Sequence, residues 1–111
     1  MSTTQLVYDS GNIYIPTGAA VHQIGPTLDV RKYSKIRAVA HDLLAPFGDV
    51  QIFFAVKEGN VTIELVEGVL IGAGQRHGTA VFDVPGRELE IFVRDIAAPK
   101  RLQLFIFGLE L

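Results

Sequence analysis

Turn-forming residues punctuate short apolar runs along this chain, giving strands at intervals of about ten positions, the spacing of an all-β sandwich or barrel. They form the clusters Asp9-Ser10-Gly11, Pro16-Thr17-Gly18, Gly25-Pro26, Ala45-Pro46-Phe47-Gly48-Asp49, Glu58-Gly59-Asn60, Pro85-Gly86 and Ala97-Ala98-Pro99-Lys100. Gly admits positive φ, Pro fixes φ and removes a donor, and Asp and Asn bond to nearby backbone. The runs between these clusters are short and largely apolar, with no long amphipathic helical stripe and no internal repeat. The expectation is an all-β fold: a single antiparallel β-sandwich of jelly-roll type, seven to eight strands, little or no helix.

Side-chain alternation supports this in several places. Val50, Ile52, Phe54 and Val56 share one face, and Gln51, Phe53, Ala55 and Lys57 the other. Glu58-Gly59-Asn60 makes a hairpin loop into a return strand. Uninterrupted alternation there puts Val61, Ile63, Leu65 and Glu67 opposite Thr62, Glu64 and Val66. Leu89, Ile91 and Val93 alternate with Glu90, Phe92 and Arg94. Residues 6–8 and 13–15 read as an opening hairpin or as two edge segments, because Pro16 cannot donate to a ladder. Residues 21–24 and 79–84 supply two more strands.

Residues 34–44 fit two periods. Ile36, Val39, Ala40, Leu43 and Leu44 fall at helical spacing, while Ile36, Ala38 and Ala40 share one face of a strand. Ser34 suits a helix N-cap, but Arg37 stands where a capping box wants Glu or Gln. Periodicity leaves both open. Asp29, Val30, Tyr33 and Ile36 are similar to the Asp-Leu-Ser-x-Tyr opening of galactose-binding-like β-sandwiches, a group that includes many carbohydrate-binding modules. The resemblance spans about residues 28–57. It implies a Tyr33 packed at a turn, a core strand over 34–40, and a module that binds a glycan or a protein surface. Arg31 and Lys32 replace the usual small polar residue, and no functional residue is carried over.

Composition removes whole classes of function. A chain of 111 residues is expected to form one domain over 1–111. There is no Cys, and the three Ser at 2, 10 and 34 lie outside any Gly-x-Ser-x-Gly. His22, His41 and His77 have no chelating spacing, and the Asp at 9, 29, 42, 49 and 95 have no Asp-x-Asp-x-Asp spacing, so these Asp read as turn formers. His41 and Asp42 are neighbours, which point to opposite faces in a strand, so they read as structural loop residues. Gly72-x-Gly74-x-x-x-Gly78 misses the dinucleotide fingerprint. No catalytic residue, metal or cofactor is therefore expected. Ten basic and twelve acidic residues are interspersed at net charge −2, which argues against nucleic acid. No apolar run reaches eighteen residues and the first residues lack signal-peptide character, so no membrane insertion is expected and no compartment is indicated.

Binding candidates are few. Gln75, Arg76 and His77 lie in a Gly-rich loop, where a sandwich carries function. Tyr33 sits among Arg31, Lys32, Lys35 and Arg37; buried it is core, and exposed it is a ligand platform. Sugar modules present flat aromatic rings, yet this chain has no Trp and three Tyr. The final run, residues 101–111, points Leu102, Leu104 and Ile106 one way, and Gln103, Phe105, Phe107, Leu109 and Leu111 the other. A half-exposed strand alternates apolar with polar, and this one does not. It is therefore expected inside its sheet with its outer face covered by another copy. That predicts a homo-oligomer with Phe105, Phe107 and Leu109 at the interface. Two readings stand: a module binding a glycan or protein through its loops, and a self-associating structural subunit of a fibre, virion or cell-surface assembly.

Overall fold

A computed structural model describes residues 3–16, 21–83, 88–94 and 99–110. Its strands are β1 (Thr3–Asp9), β2 (Ile13–Ile15), β3 (Val21–Asp29), β4 (Lys35–Asp42), β5 (Val50–Glu58), β6 (Val61–Ile71), β7 (His77–Asp83), β8 (Glu88–Arg94) and β9 (Lys100–Glu110). They form two antiparallel sheets. In the first, β1 and β2 both pair with β9, followed by β4 and β7; the second runs β3-β8-β5-β6. The pairs β2–β9, β3–β8, β4–β7 and β5–β6 lay the second half of the chain back along the first. That is a long hairpin rolled into two layers, the jelly-roll arrangement. No helix occurs among the described residues.

The ninth strand comes from a break in the sheet edge. β1 and β2 do not form a hairpin; they lie end to end along β9. Between them the Asp9 carboxylate accepts from Gly11 N at 2.8 Å, and Gly11 takes φ +64°. Ser10 keeps the ladder going: its N donates to Leu104 O at 3.0 Å, and its Oγ accepts from Leu104 N at 2.8 Å.

Residues 35–42 are strand. β4 bonds to β9 on one side and β7 on the other, and pairing on both edges overrides the helical propensity of its Ala residues. Ile36, Ala38 and Ala40 are fully buried, and Leu43 is exposed just beyond the strand. Ahead of β4, Asp29 Oδ1 accepts from Arg31 N and Tyr33 N donates to Val30 O, closing a tight turn. The Tyr33 ring is buried flat against Gly108, where an added Cβ would stand 2.4 Å from it. Its hydroxyl donates to Gln5 Oε1 at 3.0 Å.

The β6 faces differ from simple alternation. Register shifts opposite Ile52/Phe53 and Val56/Lys57 skip Gly68 and Ile63, so each bulge moves the following residues to the other face. Leu65 and Glu67 accordingly sit outward beside Ala55 and Phe53, while Val66 pairs with the buried Phe54. The Phe54 ring lies where a side chain at position 68 would go, 2.2 Å from an added Cβ.

Asp42 and Lys100 also depart from the expected loop roles. Both lie in strands and both are buried. Asp42 Oδ2 accepts from Lys100 Nζ at 2.9 Å and from Gly48 N at 2.7 Å, and its Oδ1 accepts from Leu44 N at 3.2 Å. Lys100 also donates to Pro46 O. The pair thereby ties the loop after β4 to the start of β9. Asp49 lies in the irregular loop just before β5, at φ +55°. Asp95, the Pro85-Gly86 turn and Leu111 lie outside the described residues.

Candidate functional site

The first sheet sets its outer face in rows across the strands. Leu6, Phe107, Arg37 and Val81 stand opposite one another on β1, β9, β4 and β7. Thr4, Leu109, Lys35 and Asp83 form the row on one side; Asp9, Phe105, Val39 and Thr79 form the row on the other. Leu6 is 55% exposed and Val81 63%, while Phe105, Phe107, Leu109 and Val39 are half-buried. Phe105 and Phe107 stack with centroids 6.4 Å apart. A hollow of about 190 Å³ opens here, its lining including Phe107, Leu109, Thr4, Lys35, Arg37 and Val81. No strand among the described residues crosses this face.

The strand expected to be interior is interior. β9 lies between β1/β2 and β4, with Leu102, Leu104 and Ile106 fully buried on its inner side. Phe105, Phe107 and Leu109 come together on its outer side. Two partners in that patch escaped the sequence, Leu6 and Val81. Each is an ordinary strand residue until the register sets it in line with Phe107.

The loop candidates are placed differently. The Gln75 carboxamide oxygen accepts from Gly72 N at 3.0 Å, so it shapes its own loop. The Arg76 guanidinium lies 4.3 Å from the centre of the Phe47 ring, and Arg76 O accepts from Asp42 N at 2.7 Å. His77 is the first residue of β7, directly opposite His41. Tyr33 stands beyond the other end of β4 and its ring has no open face, only 6% of the residue being exposed. The four residues do not form one site.

Two groups near β1 titrate abnormally. Asp9 is held below the ordinary carboxylate range, chiefly by the Gly11 N–H and next by the Gln103 carboxamide. The Tyr8 phenol is pushed up, first by burial and then by the Asp9 charge. Among the described residues, no group of three or more His, Cys, Asp or Glu is placed to hold a metal ion. Nor is any helix among them long and apolar enough to cross a membrane.

No protein-family model matches this sequence, and no curated protein matches it. Several solved structures are similar to this chain. The SPBc2 prophage-derived protein YomS is 11% identical, over 97% of this chain and 94% of that one, with a TM-score of 0.52. The Bacillus endospore appendages, described as disulfide-linked pili, give 12% identity over 97% and 85% with a TM-score of 0.48. A family 29 carbohydrate-binding module from Piromyces equi gives 13% over 95% and 90% at 0.43. At 11% identity, the likeness to YomS shows the fold alone.

Proposed function

We propose that this chain is a non-catalytic interaction module that works by self-association through the outer face of its β1/β2-β9-β4-β7 sheet. The observation that carries the reading is the row Leu6–Phe107–Arg37–Val81, flanked by Phe105 and Leu109, with Leu6 and Val81 more than half exposed. Aromatic side chains backed by a rigid sheet are the usual anchors of an interface. Burying them against a second copy removes apolar area from water without new chain, and closed symmetric pairs are the commonest outcome. Arg37 stands between Phe107 and Val81 within the row, a residue type enriched among interface anchors. Lys35 and Asp83 in the next row supply part of the polar rim that such interfaces carry.

Sedimentation at high micromolar concentration tests this. The expected mass is a multiple of 12.1 kDa, and Phe107→Glu, still folded by circular dichroism, returns it to the monomer. A wild-type chain of monomer mass at that concentration sinks the reading.

The second reading is capture of a glycan or a protein through the loops. It is favoured by the exposed Arg76 and His77. With the Tyr33 ring buried and the Gln75 oxygen bonded to Gly72, those two residues would have to carry the contact.

A further inference from the structure

His41 on β4 and His77 on β7 are direct cross-strand partners, and their side chains lie on the outer face, away from the inward Asp42. Their ring centroids are 6.3 Å apart, with 41° between the planes. The edge of the Phe105 ring system packs against His41 at 6.0 Å and 82°, which steadies that imidazole. Facing residues of an antiparallel pair have Cβ atoms ~4.5–5.5 Å apart, so this juxtaposition is set by the ladder rather than by a loop.

We propose that His41 and His77 form a two-imidazole site for a divalent transition-metal ion of the zinc, nickel or copper class. With nitrogen–zinc bonds of ~2.0–2.1 Å, two rings on one ion have centres roughly 5–6 Å apart. The observed 6.3 Å needs only a small rotation of the exposed His77. Imidazole suits these ions, whereas calcium and magnesium select oxygen ligands. The neighbouring side chains do not oppose a cation. Gln103, beside His41 on β9, is uncharged and gives its amide nitrogen to Asp9 at 3.1 Å. Arg76, next to His77 in sequence, is drawn over the Phe47 ring. The remaining coordination positions fall to water. This site stands whether or not the chain self-associates.

Titration of metal-free protein with Zn²⁺ alone tests the site, followed by calorimetry and by the histidine ring signals in NMR. The His41 and His77 signals should move together. The His22 ring in β3, whose Nε2 is buried without a hydrogen-bond partner, should stay fixed. His41→Asn and His77→Asn should each weaken binding by roughly tenfold or more, since a lone imidazole remains. Both positions are partly or fully exposed, so circular dichroism should show a native fold; if one variant misfolds, the wild-type ring signals decide by themselves. The proposal is overturned if neither ring responds to Zn²⁺, if binding survives His77→Asn, or if Mg²⁺ produces the same response.

Discussion

On the outer face of the β3-β8-β5-β6 sheet, Phe53 and Phe92 stack with centroids 5.2 Å apart, and charged side chains close over them. The Arg94 guanidinium lies 4.8 Å from the Phe53 ring centre and bonds to Glu67 at 2.9 Å, which in turn accepts from Gln51 at 2.7 Å. Lys57 pairs with Glu90 at 3.3 Å, and Glu90 also accepts from Gln23 and Thr27. On the other sheet, Phe105 and Phe107 stack in the same way, yet the nearby Lys35 turns aside to Asp83 at 3.7 Å, in a pair that is largely solvent-exposed. Exposed pairs of that kind contribute little. Outward aromatics on a β-sheet can be covered by long charged side chains of the same chain, or left for a partner. The second sheet takes the first course. Its exposed Val61, Ile63, Leu65 and Leu70 all lie on the edge strand β6. Among the described residues the first sheet carries no such ion-paired cover over Phe105 and Phe107, and that contrast is the reason for proposing association there.

The largest expected effects lie beneath the open face, where it is held in shape. Asp42→Ala leaves Lys100 buried with only a carbonyl partner, and breaking a buried pair from one side costs about 3–5 kcal/mol. Chemical denaturation would read it as a large fall in midpoint. Tyr33→Ala removes a buried ring and its bond to Gln5, and a truncation of this kind also costs about 3–5 kcal/mol. An unchanged melting temperature would show that Tyr33 does not brace the sheet.

The contrast itself is tested by a pair of substitutions. Phe107→Glu should abolish association and leave the fold intact, because its side chain is half-exposed on the open face. Phe92→Ala should do the reverse: a stability loss of about 1–2 kcal/mol, with the sedimentation coefficient unchanged. If the two exchange roles, association runs through the wrong sheet for this reading.

Arg94→Ala sharpens the comparison further. Loss of the cation–π contact should cost about 0.5–1 kcal/mol. It also uncovers Phe53, so the second sheet should acquire the behaviour of the first, seen as extra association at high concentration. A variant that loses stability and gains no association would mean that the guanidinium does not serve as cover.

These regions differ in how far the sequence discloses them. Patterns internal to one strand are legible: the inward residues of β5 and β8 and the interior position of β9 follow from local chemistry, while the packing of Tyr33 at its turn is what the resemblance implies. Features that need two distant segments are not. Gly68 is a bulge because Phe54 on the neighbouring strand fills its side-chain position. Lys100 is a core residue because Asp42, 58 positions away, meets its charge. The same holds for the candidate surface. Phe105, Phe107 and Leu109 are visible in one run, whereas Leu6, Val81 and the His41–His77 pairing depend on registers that periodicity does not set.

The smallest effect lies at the rim, where Asp9 ends the row that contains Phe105. Its pKa is lowered, first by the Gly11 N–H and then by the Gln103 carboxamide, both of which bond the ionised form. A depressed folded-state pKa contributes stability that is fully present above the unfolded value, about 3.9 for Asp, and is lost as pH falls through the folded value. Asp9→Asn should therefore be less stable than the wild type near neutral pH. The two stability curves should draw together in acid, below the ordinary Asp range. The carboxyl signal of Asp9 in NMR should titrate below that range as well. Association bears on the same group: a second copy seated over Phe105 would desolvate Asp9 and oppose the lowering. Dilution that separates the copies should then move the Asp9 midpoint further down. A midpoint independent of concentration, in a chain that sedimentation shows to be associating, would place the interface away from this end of the sheet.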